Sequence, residues 1–372
     1  MRRFIQLMAL LGLITMLAGG QTKKGASSKS APAKADDPKW KAIWEPVPFT
    51  KDIELRDISC TGPETCYVAG AKSTILYTSN GGKTWQAQLG GDPEGTEVDL
   101  ASIFFLDSKS GWVMTTRSGV MGTTDGSTWV ELGKAPATSK GLWFMSARTG
   151  LVADNHDSQS RSMLNRSENG GKTWTRGSPC GVDATVGGLP RKLGCMVQDI
   201  QFVSPTVGFM GGGAPIAMGT SVAAFSKTSD GGATWTNSVI PETKHRIDKV
   251  LFWSEKDGLV LLASGQTFWT ADAGETWTGT VNPPSWKSHY ASGEGKILVG
   301  VNQIGRQIGY SFNGGRSFTS RPAGLPAEAN AVTFPDAQHG YLVGRHGMVY
   351  RYRIVPFDYS VPGMIGAAAP PQ

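Results

Sequence analysis

Oxygen-bearing side chains recur through this 372-residue chain at Asn80, Asp125, Asn169, Asp230, Asp272 and Asn313, each followed within two residues by Gly and then by Thr or Ser. Asp and Asn suggest calcium, but calcium takes about six to eight oxygens and each of these strings brings one such residue. Their chemistry is that of a turn: the side-chain oxygen accepts from backbone N–H groups just ahead, and Gly supplies the positive φ of a tight hairpin. The cysteines form two couples, Cys60 with Cys66 and Cys180 with Cys195, and pairing within each couple is the simplest of three connectivities. Zinc is the sharper alternative, yet the couples lie in different repeats and no His stands near them. His156, His245, His289, His339 and His346 are scattered without metal-ligand spacing and read as solvated loop residues. No Gly-x-Ser-x-Gly elbow or phosphate loop appears, so no cofactor and no metal is expected.

The elements that carry these turns follow from their spacing. The strings begin at Thr78, Thr123, Ser167, Thr228, Thr270 and Ser311 and end in Trp85, Trp129, Trp174, Trp235, Trp277 and Phe318, which stand 44, 45, 61, 42 and 41 residues apart. Such a period is that of a radial repeat, with one insertion in the long step. Before each turn run short apolar segments bounded by Gly, Asn, Asp and Ser, as in Ala101–Phe105, Gly111–Met114 and Val120–Thr123. These read as strands, four to a repeat, and the chain as all-β. The string from Thr123 is one residue short, which predicts a different hairpin type there. Trp44 lies 41 residues before Trp85 with no repeat of its own upstream, while the segments 331–334, 340–343 and 348–352 make three strands with no turn after them. Pairing the Trp44 strand with the last of these closes a seven-bladed β-propeller and removes two exposed edges.

The strings Ser/Thr-x-Asp/Asn-x-Gly-x-Thr-Trp, with the preceding Gly-aromatic strand, resemble the Asp-box (BNR) repeats of the photosystem II stability and assembly factor-like family, over roughly residues 40 to 355. That resemblance implies a non-catalytic protein that binds a client through an arginine-rich face, and a lumenal setting in a photosynthetic host. Asp boxes also occur in sialidases, other glycosidases and sorting receptors, so a carbohydrate-active protein, hydrolase or glycan binder, is the alternative.

The ends and the charge narrow the setting. Met1-Arg2-Arg3, an apolar run to Leu17 and small residues after it read residues 1–21 as a secretory signal peptide, with a retained anchor as the alternative. Residues 22–39, rich in Lys, Ser and Ala, read as a flexible linker, 40–357 as the propeller and 358–372 as a disordered tail. Export to a periplasmic or extracellular space suits the cysteines. Of the net charge of +6, about +2 belongs to the propeller, which argues against nucleic-acid binding.

In a four-stranded blade the loop between strands two and three shares a rim with the blade-to-blade connection, and the Asp-box turns take the other rim. Lys72, Arg117, Arg161, Arg306 and Arg345 fall in the first kind of loop, and Arg56, Lys140, Arg191, Lys192, Arg246 and Lys287 in the second. The partner-binding candidates are Lys72, Arg117, Arg161, Arg191, Lys192, Arg246, Arg306 and Arg345, a docking face for an acidic protein client, with a membrane-protein complex in view. Asp92, Glu94, Glu97, Asp99 and Asp157 share that rim, and ordinary surface decoration is the competing reading. A sialidase would need an Arg cluster, a Tyr–Glu nucleophile pair and an Asp acid. The nearest string, Arg246-Ile247-Asp248, lacks the Pro that opens such domains, and Tyr290, Tyr310, Tyr341 and Tyr350 read as strand residues. The expectation is a monomeric binding protein without catalytic residues.

Overall fold

The repeating unit is plainest in the second blade, where Leu100–Phe105, Gly111–Thr115, Gly119–Thr123 and Val130–Lys134 pair antiparallel in that order. The burial of these strands falls from the second, nearly all buried, to the fourth, which is mostly exposed, so the sheet runs from the ring's interior to its rim. The computed structural model describes residues 40–47, 49–136, 140–154, 161–217, 219–281, 289–295, 297–301, 307–322 and 324–356. The expected signal peptide, linker and tail lie outside the described residues, apart from the linker's boundary with the first strand.

Seven such four-stranded sheets and one two-stranded hairpin make up the described structure. The first strand of each blade neighbours the first strand of the next, and the seventh returns to the first, so the ring closes. Closure uses the N-terminal strand Trp40–Pro46, which pairs with Val349–Pro356 and completes the seventh sheet in the register Trp44 opposite Tyr352. A free sheet edge exposes a row of unpaired N–H and C=O groups, and this last pairing removes the edge that would split the ring.

The core lies between blades. Each cluster of buried side chains draws on two adjacent sheets, for example Tyr67 and Ile75 of the first blade with Leu100, Phe105 and Val113 of the second. The aromatics that end the repeats pack into these seams. Trp129 meets Phe105 edge-on at 5.7 Å, Trp174 meets Phe144 at 6.2 Å and Trp235 meets Phe202 at 6.1 Å. Trp44 meets Phe334 at 6.0 Å in the same way, so the N-terminal strand supplies the seventh member of the set. That Phe lies over a Gly on the neighbouring strand in five blades, with Phe105 opposite Gly111, Phe144 opposite Gly150, Phe202 opposite Gly208, Phe252 opposite Gly258, and Phe334 beside Gly340. A Cβ on Gly111 would sit 2.5 Å from the Phe105 ring, so only Gly permits this approach. In the first blade the pair is Cys60 opposite Cys66, and a disulfide joins them.

Candidate functional site

The Asp-box turns occupy one rim and share one geometry. In the first, the Thr78 hydroxyl donates to Asn80 Oδ1 at 3.0 Å and accepts from the Gly82 N–H at 3.1 Å, while Asn80 Oδ1 accepts from the Thr84 N–H at 3.1 Å. The turns at Asn169, Asp230, Asp272 and Asn313 repeat this set. The short string differs as its length requires: Gly126 rather than a fourth residue donates to Thr123, and Asp125 Oδ1 accepts from both Ser127 and Thr128 N–H groups. Hydrogen bonds to the ionised form hold the Asp230 carboxyl down at about 2, led by the Thr234 hydroxyl, and Asp272 at about 2 through Thr276. The oxygens that a cation would need are thus already committed to the turn.

Several of the sequence candidates lie at the opposite rim. Its geometry is set by a recurring bond in which the residue after the second strand donates its N–H to the chain entering the same blade: Ala71 to Glu54, Thr116 to Asp99, Ala263 to Arg246 and Arg345 to Glu328. Lys72, Arg117, Arg246 and Arg345 therefore stand around one rim with Arg56. Many of these cations are already paired. Arg56 bridges Glu54 and Asp99, both at 2.8 Å, Arg246 meets Asp248 at 2.8 Å, and Arg345 meets Glu328 at 3.1 Å and Glu54 at 3.6 Å. Asp99 is held below the usual carboxylate range by the Lys72 N–H and the Arg56 guanidinium. Among the described residues no carboxylate pairs with Arg117, Lys72 or Arg191, and Lys192 reaches Asp183 only at 3.9 Å. Arg161 is half-buried, and Arg306 lies outside the described residues, as do Lys287 and His156.

The long step expected to hold an insertion carries two additions on this rim, in the third-to-fourth blade connection and in the fourth blade. The first is a hairpin, Gly181–Val186 with Leu189–Gly194, closed at its base by the Cys180–Cys195 disulfide. The second extends the strands Gly208–Ala217 and Thr220–Thr228 beyond the sheet. The hairpin packs on the fourth blade through Val182, which is buried, and Leu193.

Polar residues of the innermost strands form a set that spacing alone did not pick out. Asp57 accepts from the Ile58 N–H and, across the seam, from the Ile103 N–H, each at 2.9 Å. Ser59 accepts from Phe105, Asp199 from Val250 and Gln201 from Phe252, so side chains of one blade satisfy the backbone of the next. Lys249 donates to Asp199 at 3.1 Å, and that carboxylate raises its pKa. Burial pushes the Asp57 carboxyl up to about 6. The readable signal was the alternation Asp57-Ile58-Ser59 and Asp199-Ile200-Gln201, polar and apolar in turn on the first strand of a blade. Beside this set lies a cavity of about 600 Å³, lined among others by Asp57, Phe104, Trp143, Asp199 and Pro205.

Comparison with known proteins agrees with this architecture. Residues 33–190, less than half of the chain, match the family model of the photosynthesis system II assembly factor YCF48. Among solved structures, "YCF48 bound to D1 peptide" superposes with a TM-score of 0.58 at 18% identity, over 87% of this chain and 99% of that one. YCF48 from Cyanidioschyzon merolae gives 0.57 at 16%, over 84% and 98%. A streptogramin B lyase gives 0.57 at 7%, over 85% and 98%, so the same ring also serves an enzyme. No curated protein matches the sequence. The chain is a seven-bladed Asp-box propeller that resembles the photosystem II assembly factor-like family.

Proposed function

We propose that this protein is an exported, non-catalytic propeller that captures a carboxylate-bearing segment of a protein client on the rim opposite its Asp boxes, in the manner of an assembly or stability factor for a membrane complex. The observation that carries the reading is the family match together with a rim that keeps Lys72, Arg117 and Arg191 without carboxylate partners among the described residues. A guanidinium without a local carboxylate is available for bidentate contact with an incoming one. The two disulfides support an oxidising compartment. Arg246 and Arg345, held in ion pairs, act in this scheme as rim scaffolding rather than as contacts. The channel carboxylates support binding over hydrolysis, because Asp57 and Asp199 are spent on the backbone of neighbouring blades.

The test compares wild type with Lys72→Glu/Arg117→Glu/Arg191→Glu by affinity purification with crosslinking, and by titration with a labelled D1 peptide as the first defined client. Arg345→Glu is the wrong probe, since it would face Glu54 and Glu328 and destabilise the ring by like-charge repulsion. The triple variant should lose crosslinked client at unchanged melting temperature. Equal capture by both proteins would refute the docking rim, and turnover of an aryl-glycoside panel would favour the carbohydrate-active alternative.

A further inference from the structure

The insertion hairpin carries, beside Arg191, a feature that client docking leaves unused. Its inward row runs Val182 opposite Leu193, Ala184 opposite Arg191 and Val186 opposite Leu189. Val182 and Ala184 are buried at the base, but Val186 is only half-buried and Leu189 is 57% exposed at the tip. Arg191 and Lys192 follow after Pro190, with the Lys192 side chain 92% exposed. The tip turn is Gly187-Gly188, and a Cβ at either residue would meet nothing within 4 Å, so the end of the arm stands clear of the ring. Gly219, in the turn of the neighbouring extended hairpin, is equally clear, and Ala217 beside it is exposed. The Cys180–Cys195 disulfide and the packing of the arm on the strands Gly208–Ala217 and Thr236–Ile240 fix its base.

From this we infer that the arm tip is a contact for an anionic lipid surface, with Leu189 and Val186 entering the headgroup boundary while Arg191 and Lys192 meet lipid phosphates. A protein or peptide ligand is normally held in a concavity that covers its apolar side chains. A free tip that leaves Leu189 uncovered, with Arg191 on the same face of the hairpin and Lys192 on the other, suits a deformable surface with apolar depth and negative charge. Asp183, the one carboxylate on the arm, is the register partner of Lys192 and lies 3.9 Å from its ammonium, so the arm tip keeps a net positive charge through Arg191. Contact there would turn the client-docking rim toward the bilayer. The inference shares Arg191 with the client reading, and vesicles free of peptide keep the two distinguishable, since lipid alone is then the ligand.

The test is co-sedimentation of the full-length, disulfide-intact protein with vesicles of phosphatidylglycerol and phosphatidylcholine, against vesicles of phosphatidylcholine alone. Wild type should partition to the anionic vesicles and be released by salt. Each cation near such a surface is worth about a five-fold change in partition, so Arg191→Gln/Lys192→Gln should bind about 25-fold more weakly. Leu189→Ser should weaken binding about ten-fold at low salt and leave the steepness of the salt release unchanged, because its contribution is apolar. The lysines of residues 22–39 are common to every variant and cancel in these ratios. Equal partition of wild type and both variants, or no partition at all, would overturn the proposal. Binding of a soluble polyglutamate peptide at the tip without vesicle binding would also overturn it, in favour of a protein partner.

Discussion

Replacing Trp44 by Ala tests how the ring is closed. This side chain belongs to the N-terminal strand, yet its indole N–H donates to the Tyr310 hydroxyl at 2.8 Å in the sixth blade. Its ring meets Phe334 at 6.0 Å and Tyr352 at 5.5 Å in the seventh. Truncating a fully buried Trp costs about 3–5 kcal/mol, and a half-buried one about half of that. Loss of the hydrogen bond adds about 1 kcal/mol. The sum is about 3 kcal/mol. For a cooperative unit of about 300 residues, with an unfolding entropy of about 2.1 cal/mol/K per residue, that lowers Tm by about 5 °C. Trp44→Phe keeps the ring contacts and should recover more than half of the loss. Differential scanning calorimetry on oxidised protein reads both. A Trp44→Ala shift below about 1 °C would refute the claim that this strand seals the propeller, because an aromatic that only decorates a frayed end contributes little.

Two further outcomes follow from the carboxylates. Asn occupies the Asp-box position in three of the six turns, so Asp230→Asn should leave Tm unchanged at neutral pH. Because the folded pKa of Asp230 is depressed, its contribution is present above the unfolded value and fades as pH falls from about 4 toward 2, and acid unfolding curves should show the variant losing that slope. Asp57 has the opposite sign. Its folded pKa of about 6 lies above the unfolded value of about 4, so the folded state holds the proton more tightly. Stability should then fall as pH rises from about 4 to 6, by at most ~3 kcal/mol, and level off above. Asp57→Asn should abolish this slope while losing one of two backbone acceptors, read by urea unfolding across pH; a retained slope would assign it to another group.

The fold was legible because a propeller is a periodic solution to a local problem. A strand pair ending in a tight turn writes itself into adjacent residues, so Thr78 to Trp85 and its five relatives announced the blades, and Trp44 announced the closure. The short string from Thr123 even carried its altered hydrogen bonding in its length. The disulfides followed for the same reason, since each joins cysteines within one local excursion of the chain.

The candidate rim was legible only as a set of positions. Arg117 and Arg345 look alike in sequence, both basic residues in second-to-third strand loops. They differ because Arg345 meets Glu54, which the seventh blade reaches only after the ring has closed on the first. The channel network has the same origin, for Asp57 meets Ile103 and Asp199 meets Val250 across seams between separate sheets. Hydrophobic alternation and turn chemistry act between near neighbours, and they determined the strands, the repeat and the number of blades. Which cations are neutralised, which carboxylates are spent on backbone and which apolar tip is left uncovered depend on contacts between blades, and only the closed ring decided those.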